Sequence, residues 1–209
     1  MSAKCLAVTA LLAGCIILPI AVAQKNELAG TAGRTFISSQ TITGSTAADN
    51  QLRFGNGFSF EGNYGRRVLN ALLFSVTLEV PVVFNPDEDL HAALPTRVPE
   101  SYRSFFVTPA GRVNLFPDLG VSPWGTIGGG FGHFTASSNL LFGGNNPGSR
   151  GSTTGVFQFG GGLDVKLMLH FKLRVEARDF LSGVPPVNVS TGNSHQHNLY
   201  VAGGLMWQF

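Results

Sequence analysis

Nine charged residues stand at alternate positions within otherwise apolar or small-residue stretches: Glu61, Glu79, Arg112, Asp164, Lys166, Lys172, Arg174, Glu176 and Arg178. The run from Lys172 to Arg178 is the clearest, with Leu173, Val175 and Ala177 separating its four charges. Successive side chains of a strand point to opposite faces, so each such set shares one face. Charges taken out of water persist only when paired and hydrogen-bonded. If these faces meet inside a closed sheet, the expected chemistry is an interlocked ion-pair network, with Glu79 or Glu61 opposite Arg112 or Arg174. The alternative is a hydrated pore in which the same residues set ion selectivity. An eight-stranded barrel is only wide enough inside for side chains, which favours the plug.

Other groups carry weaker signals. His195 and His197 are two apart on one strand face, but a specific metal site needs a third ligand, so solvated rim residues are expected and no metal. His133 and Ser137 fall near the mouth of one strand. Nucleophilic catalysis needs a base oriented by a third group, and none is readable, so no enzyme is expected. Asp87, Glu88 and Asp89 could bind divalent ions at lipid phosphates, although a solvated loop is the simpler reading. Gly128–Gly130 and Gly160–Gly162 spell no phosphate loop, because no helix follows either. They read as sites of strand bending or close packing. Asn188-Val189-Ser190 matches a glycosylation sequon by spelling alone. No cofactor is expected.

The alternation that places the charges also defines the elements that carry them. Leu72, Phe74, Val76, Leu78, Val80 and Val82 share one face. So do Leu52, Phe54, Phe58, Phe60 and Tyr64, then Phe105, Val107, Val113 and Leu115, and finally Leu199, Val201, Leu205, Trp207 and Phe209. A stretch near 121–135 is glycine-rich, and the first, near 28–38, has no clean face. Eight strands result. Long connections follow the odd strands, at Ser38–Asn50, Asn85–Ser101, Ala136–Ser152 and Leu181–Ser194. Short turns follow the even ones, at Gly65–Asn70, at Pro117–Gly120 and near Met168. The first and third long connections are rich in Gly, Ser, Thr and Asn and read as flexible; the second holds three prolines and reads as stiffer.

Long loops at one end and short turns at the other describe an up-and-down barrel whose termini share the short-turn end, as transmembrane barrels do. A lipocalin-like soluble barrel shows the same alternation turned inside out. Volume separates the two. The apolar face carries most of the 17 phenylalanines, too much for so narrow a lumen, so it faces out. Tyr64, Phe116, Phe171, Trp207 and Phe209 then mark one interface with lipid. Phe36, Phe54, Phe84, Phe105 and Phe180 mark the other. The expected fold is all-β: an eight-stranded antiparallel up-and-down transmembrane β-barrel spanning 24–209 as one domain.

Composition agrees. Of 209 residues 12% are charged, about half the usual share in soluble proteins. Glycine accounts for 27. The net charge of +2, with scattered basic residues, leaves no electrostatic footprint for nucleic acid. Residues 1–23 read as a cleavable signal peptide. Lys4 supplies the positive start, an apolar run follows, and Ala21-Val22-Ala23 precedes cleavage between Ala23 and Gln24. Leu12-Ala13-Gly14-Cys15 also spells a lipobox, but the residues after it stay apolar. Both cysteines, Cys5 and Cys15, lie in this segment, so the exported part must be stable without disulfides.

The signal segment and the closing stretch Leu199–Phe209 resemble the small bacterial outer-membrane β-barrel superfamily, the OmpA-type and OmpX-type eight-stranded barrels. In that family the last residue is typically Phe, preceded by apolar residues at alternate positions; Phe209, Trp207, Leu205 and Val201 match, and Gly203 is the gap. The resemblance implies that this end is the signal read by the barrel-assembly machinery. It also implies passage by periplasmic chaperones and residence among outer-membrane lipids and lipopolysaccharide. So small a lumen requires no oligomer, so a monomer is expected, and its long loops are the expected contact with an unknown extracellular partner. No peptidoglycan-binding segment follows the barrel, so no cell-wall tether is expected. The expected role is a structural or interaction protein; the alternative is a narrow porin-like channel.

Overall fold

The computed structural model describes residues 26–45, 48–93 and 97–209. The export segment and the cleavage point at Ala23 and Gln24 lie outside the described residues. Among the described residues eleven strands form: β1 (Asn26–Phe36), β2 (Gln40–Thr41), β3 (Gln51–Phe54), β4 (Phe58–Asn70), β5 (Phe74–His91), β6 (Ser101–Val107), β7 (Ala110–Leu115), β8 (Val121–Ala136), β9 (Gly151–Lys166), β10 (Phe171–Ser182) and β11 (Gln196–Gln208).

Eight positions make the ring. β1 pairs β4, β4 pairs β5, β5 pairs β6 and β7, these pair β8, and β8, β9, β10 and β11 follow in order. The ring closes where β1 meets β11, with Leu28 opposite Trp207 and Phe36 opposite Leu199. Every pairing is antiparallel. Closure leaves no edge, as a sheet in lipid requires. β6 and β7 share one place in the ring and one register. The gap between them holds Pro109, which has no N–H to give the ladder, and its carbonyl still accepts from Gly129 N at 3.1 Å.

The barrel is apolar outside, and its short-turn half is polar inside. Leu78, Ile127, Phe159, Val175 and Leu205 are exposed, whereas Thr77, Thr126, Gln158, Glu176 and Met206 are buried. So large a continuous apolar surface fits lipid rather than water. The wall is that of a membrane-spanning barrel and not of a lipocalin-like one.

Several expectations change. The first short turn lies at Ala71–Leu73 rather than Gly65–Asn70, because β4 and β5 stay paired from Phe60 to Asn70 across a bulge at Arg67/Leu69. Leu52 is buried and Phe54 partly so. They belong to β3, which pairs with the end of β5 at Arg53 with His91 and Phe54 with Leu90, so Phe54 is not part of the outer aromatic ring. Phe180 is not in that ring either. It has the parity of Arg178 and points inward, stacked on Phe106 with centroids 5.2 Å apart.

These residues reveal an apolar core inside the long-loop half of the lumen. Val83, Tyr102, Phe106, Phe134, Val156 and Phe180 fill it from the wall. Leu52 on β3 and Leu90 at the end of β5 close it together with Ile42, Val98 and Val187 of the loops. The loops, including the two read as flexible, are tied to one another. Thr43 N donates to Ser190 O at 2.8 Å, and Leu141 N to Val98 O at 2.9 Å. Asn188 Nδ2 bonds both Arg97 O at 2.9 Å and Asn146 Oδ1 at 2.7 Å. Asn188 sits at φ 61°, a left-handed conformation that asparagine tolerates better than most residues. Its place is as a strut between loops.

Candidate functional site

The short-turn half of the lumen holds the charges. Eight of the nine residues read from the sequence lie inside it, buried: Glu61, Glu79, Arg112, Asp164, Lys172, Arg174, Glu176 and Arg178. Lys166 does not join them. It ends β9 and is exposed, because the wall stops there and the side chain reaches water. Two further members come from β1, whose sequence shows no clean face, and from 65–70, where a turn is expected. Glu27 stands on β1 and Arg67 near the end of β4, and both are buried. The buried set then holds five acids (Glu27, Glu61, Glu79, Asp164, Glu176) and five bases (Arg67, Arg112, Lys172, Arg174, Arg178), so formal charge cancels.

Glu79 is the hub. Its Oε2 accepts from Arg112 at 3.0 Å and Asn63 at 3.1 Å; its Oε1 accepts from Arg178 at 2.8 Å and Thr126 at 2.9 Å. Arg178 also reaches Glu176 at 2.9 Å and Glu61 at 3.4 Å. The pairing of Glu79 with Arg112 is one of the four left open by the sequence. Glu61 faces Arg178 instead, and Arg174 binds Asp164 through two parallel bonds of 2.8 and 2.9 Å. That fork geometry is the strong form of an arginine–carboxylate contact. Glu27 joins Arg112 and Arg67 and accepts from Gln208 at 2.8 Å, linking the first and last strands.

Trp124 lies at the centre. Its ring is 5.0 Å from the Arg174 guanidinium, 5.1 Å from that of Arg178 and 5.6 Å from that of Arg112. Its Nε1 donates to Asp164 at 3.1 Å. The aromatic face attracts three cations while the edge satisfies an acid. Sequence reading passed over Trp124 because its stretch is glycine-rich. The glycine that admits the ring is across the ladder on β9: a Cβ at Gly162 would fall 2.6 Å from the indole.

The remaining candidates are dispersed. His195 bonds Ser194 Oγ at 2.9 Å, whereas His197 pairs Asp179 at 2.6 Å. Among the described residues no group of three His, Cys, Asp or Glu is placed to hold a metal. His133 bonds Thr153 at 2.8 Å, and Ser137 accepts from Asn139 N at 3.1 Å, so the two have separate partners. Asp87 and Asp89 are exposed, but Glu88 between them is buried.

Glu88 lies beyond the aromatic rim at Phe84, in the loop cap. Its Oε2 accepts from Asn85 Nδ2 at 2.9 Å and from Gly57 N at 3.1 Å, and its Oε1 has no partner. Burial pushes its carboxyl up to about 7, above the ordinary value of about 4.3. The folded cap thus binds this proton more tightly than the opened cap. Its contribution to cap stability is complete below pH of about 4.3 and is lost as pH rises to 7. Hydrogen exchange of loop amides, corrected for intrinsic rates, should show more cap opening at pH 8 than at pH 5.5. In Glu88→Gln that difference should vanish.

A closed ring of eight antiparallel strands, with long loops at one end, Asn26 and Phe209 at the other and an apolar exterior, defines the fold: an eight-stranded transmembrane β-barrel. No protein-family model and no curated protein matches the sequence. Among solved structures the chain is similar to Neisserial surface protein A, with 13% identity, a TM-score of 0.55, and coverage of 88% of this chain and 97% of that one. It is also similar to the outer membrane protein OprG from Pseudomonas aeruginosa, with 13% identity, a TM-score of 0.50, and coverage of 90% and 96%. Both likenesses are of fold.

Proposed function

We propose that the protein is an outer-membrane anchor with a closed lumen, whose tied loops present a rigid surface to an extracellular partner. The supporting observation is that the lumen is filled along its length by two different means. An ion-pair network occupies the short-turn half, and an apolar core sealed by loop residues occupies the other. Either layer alone would obstruct ions. The loops add a polar rim cleft of about 260 Å³ lined by Asp87, Arg103, Ser137, Ser138 and Arg150, where a polar partner would dock. Loops held on a rigid scaffold are the usual carriers of function. Entry into the membrane would follow recognition of the Val201, Leu205, Trp207 and Phe209 face by the assembly machinery. All four point outward, and the last two stack at 4.5 Å.

The test is planar-bilayer conductance of the refolded barrel, with the gel-mobility shift between unheated and boiled samples as the check on folding. The expected result is a heat-modifiable band with no discrete current steps. Reproducible single-channel steps from the same sample would replace the anchor reading with a narrow channel.

A further inference from the structure

The rim cleft holds three charges that the fold does not use. It is lined by Asp87 on β5, Ser101 and Arg103 on β6, Thr135 on β8, Ser138, and Arg150 just before β9. Asp87 and Arg103 form no hydrogen bond or ion pair among the described residues. Arg150 engages only its Nε, which donates to Ala136 O at 3.3 Å, and keeps both terminal nitrogens free. The four buried arginines of the lumen, by contrast, each have a carboxylate partner.

The place of the cleft and its charge narrow the ligand. Arg103 has the outward parity of Phe105 and stands two residues nearer the loops, opposite Thr135. With the usual rise and tilt of a barrel strand this is about 5 Å past the aromatic rim, and Ser101 is about 10 Å past it. The polar layer over one leaflet is only roughly 5–7 Å thick, so the outer end of the cleft opens to water. Its walls are held in place: Ser137 N donates to Ser101 O at 2.8 Å, Ala136 N to Arg150 O at 2.7 Å, and Asn146 Nδ2 to Ser137 O at 2.9 Å. A site formed in advance costs less to occupy. Two guanidinium groups against one carboxylate leave a formal charge of one, which a single carboxylate matches, while Asp87 opposes a dianion such as phosphate. Guanidinium also grips a planar carboxylate through two parallel bonds. Asp87 can only accept, so the ligand must bring an N–H or O–H as well. The volume of about 260 Å³ is below the range of about 300–1,000 Å³ usual for small-molecule pockets. It suits one side chain with its adjoining backbone.

We propose that this cleft receives an aspartate or glutamate side chain from a peptide segment of the extracellular partner. The carboxylate bridges Arg103 and Arg150, and a neighbouring backbone N–H donates to Asp87. The inference rests on the reading of the tied loops as a docking surface and gives that surface its chemistry.

The experiment follows the arginine Nε–H signals of the refolded barrel by NMR in detergent, with arginine labelled. The probes are acetyl-Gly-Glu-Gly-amide, its glutamine counterpart and inorganic phosphate. The glutamate peptide should shift the Arg103 and Arg150 signals to saturation, and the other two probes should bind roughly tenfold more weakly, the effect of one charge-assisted hydrogen bond. Arg103→Gln breaks no bond within the protein, so it should keep the heat-dependent mobility shift and lose about tenfold in affinity for the glutamate peptide, read on Arg150. Lys166→Gln, at the opposite end of the barrel, should bind as wild type does. Equal affinity for the glutamate and glutamine peptides overturns the proposal, and so does unchanged affinity in Arg103→Gln. Tighter binding of phosphate than of the glutamate peptide overturns it as well and makes the cleft a phosphoryl site. Single-channel current from a barrel that still binds the glutamate peptide overturns the anchor and leaves the cleft standing; a silent barrel that ignores the peptide does the reverse.

Discussion

Arg178→Leu is expected to destabilise the barrel by about 3–5 kcal/mol, the cost typical of removing one partner from a buried ion pair. Arg178 touches Glu79, Glu176 and Glu61 at once, so its loss leaves five buried acids against four bases. Equilibrium unfolding of the vesicle-folded barrel in denaturant measures the loss. Glu61 is the acid least well held: neither of its carboxylate oxygens has a hydrogen-bond partner. Adding Glu61→Gln to Arg178→Leu restores four against four and should recover part of the stability. A double variant as unstable as the single one would mean that Arg178 acts through packing rather than charge. The same reasoning makes Glu61→Gln alone mild, because it removes a poorly solvated charge and leaves Arg178 with two other acids.

The sequence made the parity of this wall legible and left the ends obscure. Lys172 to Ser182 alternate without interruption, so one correct assignment on β10 places every side chain on it. The same rule would have put Phe180 inside. An aromatic residue at that height reads as part of the outer ring, and the apolar core that receives Phe180 exists only once Phe106, Phe134 and the loop residues converge. Glu27 and Arg67 escaped for a different reason. Glu27 has the parity of Thr31 and Thr35, but Gly30, Ala32 and Gly33 blur the contrast between the faces of β1. Arg67 has the parity of Glu61 and Asn63, yet Gly65 reads as a turn. That glycine is instead an inward position beside Glu27, where a Cβ would come within 3.0 Å of Thr77. Lys166 shows the converse: parity places a side chain, but only the length of the wall decides whether it stays inside. The loops were least legible, because their order comes from contacts between loops distant in sequence, such as Asn188 with Arg97 and Asn146.

Gly162→Val is expected to abolish barrel formation, seen as loss of the heat-dependent mobility shift, while Gly155→Val leaves it intact. Both glycines lie on β9 within the wall. At Gly155 a Cβ would meet nothing within 4 Å. At Gly162, an inward position between Trp124 on β8 and Glu176 on β10, a Cβ would fall 2.2 Å from Val175 O and 2.6 Å from the Trp124 ring. The first contact is backbone and cannot yield without parting β9 from β10. The second displaces the indole that holds Arg112, Arg174 and Arg178. Overpacking a core by a methylene or two costs about 1–3 kcal/mol, so Gly162→Ala should fold with reduced stability. Valine adds branching against an atom that cannot move, and unpaired backbone in lipid costs several kcal/mol more per group. Gly155 on the outer face is thus free, whereas the inward Gly160 and Gly162 make room for Arg178 and Trp124. A Gly162→Val barrel that folded normally would show that the indole and its three arginines can settle elsewhere, and the lumen would then be a looser structure than its hydrogen bonds describe.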